Sequence, residues 1–287
     1  MSLNYFLPAC ALVAASLAIS GCKNAGSSQA TATDPIDSAR ITGVRFIADS
    51  AFAAIKAQGD CGPRVPNSEA HRRCGDYIAA RFKALGLEVT EQKASLTAWD
   101  GNVLQTRNII AAYRPELADR ILLCAHWESR PWADADPDSS LHHQPVIAAN
   151  DGASGVAVML EIARQLQADK KLNPSIGVDF VCFDTEDWGV PQWSDAQDDG
   201  NSWALGAQYW SENKPEGYNP RYGILLDMVG GQGAKFYREG MSMQYAGGIV
   251  KRVWAAARQA GYGSFFPKSD GGMITDDHIP VNEKAKI

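Results

Sequence analysis

The sequence predicts an α/β fold with a layered sheet. Short apolar segments typical of strands alternate along the chain with amphipathic segments at helical spacing, as in successive βαβ units. The chain has 287 residues, of which 45% are hydrophobic and 21% are charged, an ordinary globular composition. A chain of this length can bury a large core. These observations favour parallel strands with helices packed against them.

The amino end is predicted to lie outside this fold. Residues 6–19 are apolar, and the sequence Ile-Ser-Gly-Cys that ends at Cys22 resembles a bacterial lipobox, in which the cysteine is lipidated. No Lys or Arg precedes the apolar run, which departs from the usual pattern, so a cleaved signal peptide or a buried helix are alternatives. We therefore expect a lipoprotein signal peptide over 1–22, a polar tether over 23–37 and an α/β domain over 38–287.

This leader predicts a place in the cell. A lipidated Cys22 would anchor the protein to the membrane of the cell envelope, facing the periplasm or the outer surface. Export also permits disulfides. Cys61 and Cys74 lie in a polar segment between two predicted helices and are the best candidate pair, while Cys124 and Cys182 lie in apolar runs and are predicted core residues.

The amino-terminal half of the domain is predicted to hold two helices and then two strands. A helix over 37–58 is indicated by apolar residues at helical spacing: Phe46, Ile47, Phe52 and Ile55. Ser68 can cap a second helix over 68–85, which Gly86 ends. The segments 87–97 and 104–113 read as neighbouring strands joined by the turn Asp-Gly-Asn at 100–102.

The carboxyl-terminal half alternates strands and helices more regularly. We predict strands over 120–125, 176–183 and 222–228, and helices over 152–168, 203–213 and 245–260. A long loop over 127–150 separates the first of these strands from the first helix. Loops of this length in a compact domain are usually functional or disordered.

Polar residues lie at or just after the carboxyl ends of three of the predicted strands. These residues are His126, the group Asp184, Glu186 and Asp187, and Asp227, while Asp151 precedes a predicted helix. Ligands in open α/β sheets bind beyond the carboxyl ends of the strands. Clustered carboxylates repel one another and are costly to bury, and a divalent metal is the usual remedy. A solvated acidic loop, and a plain helix cap at Asp151, are the alternatives.

The charge of the chain excludes one class of partner. The formal net charge is −6 and the sequence pI is about 5.4, without a Lys- or Arg-rich tract. A basic footprint is the mark of nucleic-acid binding. We therefore expect no nucleic-acid partner.

Five motifs, in chain order, carry a family resemblance: AHWESRPWADAD, ANDGASGVAVMLEIARQL, FDTEDWG, LLDMVG and DDHIP. Together they resemble the bacterial glutaminyl-peptide cyclotransferases, whose fold is shared with the di-zinc aminopeptidases. The resemblance covers roughly residue 41 to the last residue. It implies a three-layer sandwich with a mixed, mainly parallel central sheet and helices on both faces. It also implies one Zn²⁺ per chain and the conversion of amino-terminal Gln of peptides or proteins to pyroglutamate. Separately, we expect a monomer.

The resemblance assigns roles to particular residues. Asp151 and Asp187 match two zinc ligands, and Glu186 matches the general acid/base. Asp227 and Asp276 match acids that hydrogen-bond around the substrate amine and the catalytic Glu. Trp193 lies near the position of a pocket-wall Trp, and Trp127 is a second candidate for a substrate contact, although either could be a packing residue.

One departure from the family concerns the third zinc ligand. In the family this ligand is a His that follows the DDHIP motif in a Trp-His-Thr context, and no Trp-His-Thr is present up to Ile287. We therefore expect that the catalytic domain lacks its carboxyl-terminal part here and that the ligand lies beyond Ile287. His278 as a substitute ligand is the rival, and a structural role suits it better.

Two other functions remain open. A di-zinc metallo-aminopeptidase of the same clan would use His126 as a further zinc ligand, and Glu128 stands where aminopeptidases usually have Asp. An envelope lipoprotein that keeps the fold without activity is the second alternative. The number of zinc ions per chain separates the cyclotransferase from the aminopeptidase.

Overall fold

Five strands form one mixed sheet in the computed structural model, which describes residues 45–169, 175–198 and 200–287. The strands are β1 (Glu88–Thr97), β2 (Val103–Tyr113), β3 (Arg120–His126), β4 (Gly177–Phe183) and β5 (Gly223–Leu225). They lie side by side in the order β1-β2-β4-β3-β5. Each corresponds to a strand that the sequence predicts, with small differences at the ends.

Four of these five strands run in one direction. β1 is antiparallel to β2 and β2 is antiparallel to β4, so β1 points the same way as β4. β3 is parallel to β4 on one side and to β5 on the other. The sheet is therefore mixed and mainly parallel, as predicted. The carboxyl ends of β3, β4 and β5 meet at one edge, where open α/β sheets bind their ligands.

Helices cover both faces of the sheet. They are α1 (Ala48–Gly59), α2 (Glu69–Ala84), α3 (Ala153–Ala168), α4 (Leu205–Glu212), α5 (Gly240–Gln259) and α6 (His278–Glu283). Successive side chains of a strand point to opposite faces. Phe180 and Cys182 of β4 accordingly share a buried cluster with residues of α1, α2 and α3, whereas Val181 and Phe183 share one with residues of α4 and α6. The three-layer architecture is confirmed.

Two local signals in the sequence act as predicted. The Ser68 hydroxyl caps α2 by accepting a hydrogen bond from the backbone N–H of His71 at 3.0 Å. The turn between β1 and β2 is stabilised by Asp100, whose Oδ1 accepts from the backbone N–H of Asn102 at 3.0 Å. Gly101 in this turn has a φ of +82°, which favours glycine.

Two helix starts differ from the prediction. α1 begins at Ala48, because Ile47 is extended and its N–H donates to Glu161 Oε1 at 2.7 Å. Phe46 is consequently not in the helix, and Phe52, predicted on the apolar face, is 69% exposed. α5 begins at Gly240 instead of residue 245, because Glu239 caps it through its side chain. Apolar spacing does not reveal a start that depends on a cap.

The predicted disulfide is not formed. Cys61 and Cys74 are both free thiols, and Cys61 Sγ donates to the backbone carbonyl of Ala57 at 3.5 Å. Cys74 is fully buried, and this burial raises the pKa of its thiol. Cys124 and Cys182 are buried, as expected of core residues.

The leader and the tether, including Cys22, lie outside the described residues. Within the described part of the chain, no helix combines the length and the apolar character that a membrane crossing requires.

Arg64 fastens the chain on either side of the long loop. Its fully buried guanidinium donates from Nε to the carbonyl of Trp127 at 2.9 Å, from Nη1 to Ile147 at 2.7 Å and from Nη2 to Ala148 at 2.8 Å. These carbonyls lie just after His126 and just before Asp151. The Arg64 side chain thus joins the segment that follows β3 to the segment that precedes α3.

Replacing Arg64 with Met is expected to destabilise the protein by on the order of 3 kcal/mol, because buried carbonyls would lose their donors. Urea unfolding measures this change. The matched variant Arg81→Met alters an exposed arginine of α2 and should leave the free energy of unfolding within about 0.5 kcal/mol. Equal effects of the two substitutions would contradict the role given to Arg64.

Candidate active site

His126 is the centre of a group of polar residues at the carboxyl ends of β3, β4 and β5. We call this group the polar edge; its members are His126, Glu128, Asp151, Glu186, Asp187, Asp227 and Asp276. His126 is the last residue of β3, it is fully buried, and its Nε2 lies 2.7 Å from Asp151 Oδ1 and 3.3 Å from Asp227 Oδ1. On the other side of the ring, Nδ1 lies 3.6 Å from Glu128 Oε2. The parallel pairing of β3 with β5, which aligns Cys124 with Leu225, explains why the residues two positions further on meet.

The turn into α3 requires glycine where it passes His126. A Cβ at Gly152 would lie 2.3 Å from the backbone oxygen of His126, closer than real contacts allow. Gly155 faces a similar limit, because a Cβ there would lie 2.0 Å from the backbone oxygen of Leu226. The glycines of the motif NDGASG therefore allow the start of α3, and with it Asp151, to approach the end of β3.

Asp184, the first acid after β4, has a structural role. It is fully buried, its two carboxylate oxygens lie 2.8 and 2.9 Å from His71 Nε2, and Oδ2 accepts from the backbone N–H of Arg107 at 2.6 Å. Thr185 follows with a φ of +55°, a conformation that β-branched residues rarely adopt. This turn directs the next two acids, Glu186 and Asp187, to the edge of the sheet.

Glu186 and Asp187 have different surroundings. The Asp187 N–H donates to Glu128 Oε1 at 2.8 Å, and Asp187 Oδ1 accepts from Arg130 Nη1 at 3.0 Å. Glu186 is only 9% exposed and lies within metal-ligand range of His126 and Glu128. The Asp187 carboxylate is therefore held by a guanidinium, whereas the Glu186 carboxyl is buried close to other acids that disfavour its charged form.

The motif DDHIP adds two more acids at the start of α6. Asp276 Oδ1 accepts from the backbone N–H of Asp277 at 2.6 Å. Asp277 is fully buried, and among the described residues neither of its carboxylate oxygens has a hydrogen-bond partner. Sequence reasoning assigned a role to Asp276 and none to Asp277.

Burial and repulsion raise several pKa values in this group. Burial, and then the charge of Asp151, raises the pKa of Asp187 to about 8. Burial, and then the charge of Asp227, raises the pKa of Asp276 to about 7. Burial also raises the pKa of Glu186 well above its ordinary value, against the opposing charge of His126.

For the His126 imidazole, nearby carboxylates affect the pKa more than burial does. Burial lowers its pKa, but the charge of Glu128, the hydrogen bond to Asp151 and the nearby Asp227 carboxylate outweigh burial and raise the pKa well above its ordinary value. Burial alone would raise the pKa values of Glu128 and Asp151. The interaction of each carboxylate with His126 lowers its pKa by more than burial raises it, so both pKa values lie below the ordinary range.

The donor set fits a divalent metal such as zinc. Two groups of side chains have ligand atoms within 4.8 Å of one another: His126 with Glu128 and Glu186, and His126 with Asp151 and Asp227. In the described part of the chain, His126 Nδ1, Glu128 Oε2 and Asp227 Oδ1 are buried without a hydrogen-bond partner. Carboxylate and imidazole are ligands that zinc accepts. Asp151 belongs to one group, whereas Asp187 belongs to neither.

The two predicted substrate-binding tryptophans lie in different environments. Trp193 is 40% exposed, and its ring centroid lies 4.5 Å from that of His143 and 6.0 Å from that of Trp132. Trp127 is fully buried, stacks on His71 at 4.4 Å, and donates from Nε1 to the carbonyl of Arg107 at 3.1 Å. Trp127 has no surface to offer a ligand, so the prediction for it is corrected to a packing role.

The remaining site predictions have these outcomes in the structure. Asp151, Glu186, Asp187, Asp227 and Asp276 all lie at the polar edge, and their individual roles stay predictions. The third zinc ligand, expected beyond Ile287, also stays a prediction. His278 is the first residue of α6, and its Nε2 lies 3.4 Å from Oε2 of Glu239, the residue that caps α5, which is consistent with a structural role. Arg130, which contacts Asp187, was missed because nothing in the sequence pairs residues so far apart.

Metal-free protein is expected to lose stability as pH rises from about 5 to about 8.5. The folded protein keeps protons on Asp187 and Asp276, with pKa values of about 8 and about 7, whereas the unfolded chain releases them above an ordinary pKa of 3.8. The stabilisation is therefore complete below the unfolded pKa and is lost as pH rises through the folded pKa values, by on the order of 6 kcal/mol over this pH range.

Urea unfolding of chelator-treated protein across this pH range tests the expectation. The variant Asp187→Asn cannot titrate at this position and should show a weaker dependence on pH. Stability that is constant or that rises with pH in the metal-free protein would contradict the raised pKa values.

The family comparison gives one clear match. The model of peptidase family M28 matches residues 108–287. This range contains β3, β4, β5 and every residue of the polar edge named above.

Solved structures of similar proteins match most of the chain. A glutaminyl cyclase of Bacteroides thetaiotaomicron is 49% identical, with a TM-score of 0.83, over 85% of this chain and 83% of that one. A structure from the same organism described as a leucine aminopeptidase precursor is also 49% identical, with a TM-score of 0.83, over 86% of this chain and 85% of that one. A Tannerella forsythia glutaminyl cyclase is 49% identical, with a TM-score of 0.81, over 85% and 82% of the two chains.

Curated relatives are more distant. The chain spans 32% of an uncharacterized protein, YfbL, and 38% of the alkaline phosphatase isozyme conversion protein, both of Escherichia coli. It therefore covers about a third of the length of these two relatives.

Proposed function

The chain belongs to peptidase family M28, and from that premise we propose that it is a zinc-dependent glutaminyl-peptide cyclotransferase. It converts the amino-terminal Gln of a peptide or protein to pyroglutamate and releases ammonia. The observation that carries this proposal is the buried carboxyl of Glu186 at the metal-compatible edge of the sheet, in a chain that resembles solved glutaminyl cyclases over nearly its whole described length.

The chemistry of the acids suits an internal aminolysis. Glu186 takes a proton from the substrate α-amine, and the amine nitrogen then attacks the carbonyl carbon (Cδ) of the γ-carboxamide of the same Gln residue. The bond from this carbonyl carbon to the amide nitrogen breaks, Glu186 returns the proton to that nitrogen, and ammonia leaves. A general base works best with a pKa near the working pH, and burial moves the pKa of Glu186 in that direction.

The remaining acids hold the reacting groups in place. Asp227 and Asp276 accept hydrogen bonds from the substrate amine and orient Glu186. Because both reacting groups belong to one substrate molecule, positioning supplies much of the rate enhancement. Trp193, which is partly exposed, packs against the substrate side chain.

One zinc ion per chain belongs to this proposal. Asp151 and Asp187 would hold it. When bound, zinc supplies Lewis-acid polarisation of the γ-carboxamide oxygen.

The experiment compares two substrates, Gln-Ala and Leu-p-nitroanilide, and counts zinc per chain. Release of ammonia from Gln-Ala alone, with one zinc bound, is the expected result. Release of nitroaniline with two zinc ions would replace the proposal by an aminopeptidase. Turnover of neither substrate by folded, zinc-loaded protein would favour an inactive envelope protein.

A di-zinc aminopeptidase is the second candidate, and one observation favours it. His126, Asp151 and Asp227 bring three ligand atoms to within 4.8 Å of one another, which suits a second metal position beside the first. One similar structure is described as a leucine aminopeptidase precursor. The zinc count and the nitroanilide assay decide between the two candidates.

For the cellular location we propose a lipid anchor at Cys22, which holds the enzyme in the cell envelope facing the periplasm or the outer surface. Incorporation of labelled fatty acid into the wild type, and its loss in Cys22→Ser, is the expected result. Labelling that is equal in both proteins would contradict the anchor. We also propose that the enzyme is a monomer, which sedimentation of the purified protein tests.

A further inference from the structure

Arg130 lies in the long loop and contacts both Asp187 and another residue of that loop, Asp134. Its Nη1 donates to the Asp187 backbone carbonyl at 3.1 Å and to Asp187 Oδ1 at 3.0 Å. Its Nε and Nη2 donate to Asp134 Oδ1 and Oδ2 at 2.6 and 2.7 Å. The side chain is only 12% exposed, so these hydrogen bonds are largely shielded from water.

The rings of Trp203 and Trp132 also contact the Arg130 guanidinium. Its central carbon lies 4.7 Å from the ring centroid of Trp203 and 5.4 Å from that of Trp132, both within cation–π range. Trp203 in turn packs so closely on Gly189 that a Cβ there would lie 1.9 Å from the ring. The position of Arg130 is therefore fixed by packing as well as by hydrogen bonds.

Asp134 connects Arg130 to the backbone beside Trp193, which with Trp132 forms an aromatic wall. Its Oδ2 also accepts from the backbone N–H of Gln192 at 3.0 Å, and Gln192 precedes Trp193. The Trp193 ring lies 6.0 Å from Trp132, which Arg130 also contacts. One guanidinium thus links the Asp187 carboxylate on one side to Trp132 and Trp193 on the other.

We propose that Arg130 is a positioning residue that orients the Asp187 carboxylate for metal binding and ties the Trp132–Trp193 wall of the substrate pocket to that carboxylate. Arg130 engages Oδ1 of Asp187, and Oδ2 is not one of its acceptors. The planar guanidinium serves two carboxylates and a carbonyl at once, a geometry that a lysine ammonium cannot reproduce. This inference rests on the proposed function, because it treats Asp187 as a zinc ligand and Trp193 as a substrate contact.

Arg120 offers a matched control. It forms a similar buried pair with Asp179, with Nε and Nη2 each 2.6 Å from a carboxylate oxygen, but it lies at the opposite end of β3. Arg120→Met should therefore lower thermal stability as Arg130→Met does, without changing metal binding or substrate binding.

The first measurement titrates zinc into metal-free protein by calorimetry, which needs no turnover. Arg130→Met is expected to weaken zinc binding by about 10- to 100-fold, the range seen when the partner of a metal ligand is removed. Arg130→Lys should recover part of this loss, and Arg120→Met should match the wild type. Zinc affinity of Arg130→Met and Arg130→Lys within about threefold of Arg120→Met would overturn the proposal.

The second measurement separates the two sides of Arg130. Asp134→Asn weakens the hydrogen bonds that connect Arg130 to the Gln192 backbone beside Trp193, and it leaves the contact of Arg130 with Asp187. We therefore expect KM for Gln-Ala to rise several-fold with zinc affinity unchanged. Unchanged KM in Asp134→Asn would remove the link to the aromatic wall.

If the wild type binds zinc but does not cyclise Gln-Ala, the proposed function fails, while the zinc titrations still decide the role of Arg130 toward Asp187. Should Arg130→Met not fold, Arg130→Lys and Asp134→Asn carry the test.

Discussion

Replacing Glu186 with Gln is expected to lower kcat for cyclisation of Gln-Ala by about 100- to 10,000-fold, the range that general acid/base catalysis contributes. The amide is nearly isosteric with the carboxyl but cannot accept the proton of the substrate α-amine. Zinc content should stay unchanged, because Glu186 is proposed as the base and not as a ligand. Ammonia release and zinc counting on the same sample measure both quantities.

Glu161 provides the control for this substitution. It is also buried, but it lies on α3, where it pairs with Arg164 at 2.6 Å. Glu161→Gln should therefore change stability and leave kcat close to the wild type. Retained turnover in Glu186→Gln would remove the residue from the role of base. Loss of zinc in that variant would instead make Glu186 a ligand, with His126 and Glu128 as its partners.

The sheet could be predicted from sequence because its signals are local. The apolar run that forms β4 is buried along its whole length, and the turn at Asp100 joins β1 to β2 through contacts between near neighbours. Because β3, β4 and β5 are parallel, the residues that follow them meet at one edge. The convergence of His126 with Asp227 follows from this topology alone.

Features that depend on distant partners could not be predicted in this way. Trp127 directly follows His126, yet it turns into the core, where His71 stacks on it from α2. Arg130 pairs with Asp187, which lies 57 positions later in the chain. Neither contact leaves a pattern in the sequence, because each depends on how α2 and the long loop pack against the sheet.

Asp151→Asn should weaken zinc binding by more than about 100-fold, beyond the 10- to 100-fold loss that follows removal of a ligand's partner. The substitution replaces an anionic ligand by a neutral amide at a position where Asp151 Oδ1 lies 2.7 Å from His126 Nε2. The interaction with His126 keeps the pKa of Asp151 below its ordinary range, so the carboxylate is ionised and ready to bind a cation.

Asp227→Asn distinguishes the two candidate functions in the same experiment. Asp227 shares a cluster with His126 and Asp151, but in the cyclotransferase proposal it binds the substrate amine and orients Glu186, and it is not a zinc ligand. In a cyclotransferase, Asp227→Asn should therefore keep one zinc and lose turnover, whereas Asp151→Asn should lose both. In a di-zinc aminopeptidase, Asp227→Asn should lower the zinc count from two to one. Tight zinc binding by Asp151→Asn would contradict both readings, because Asp151 is the carboxylate on which each of them depends.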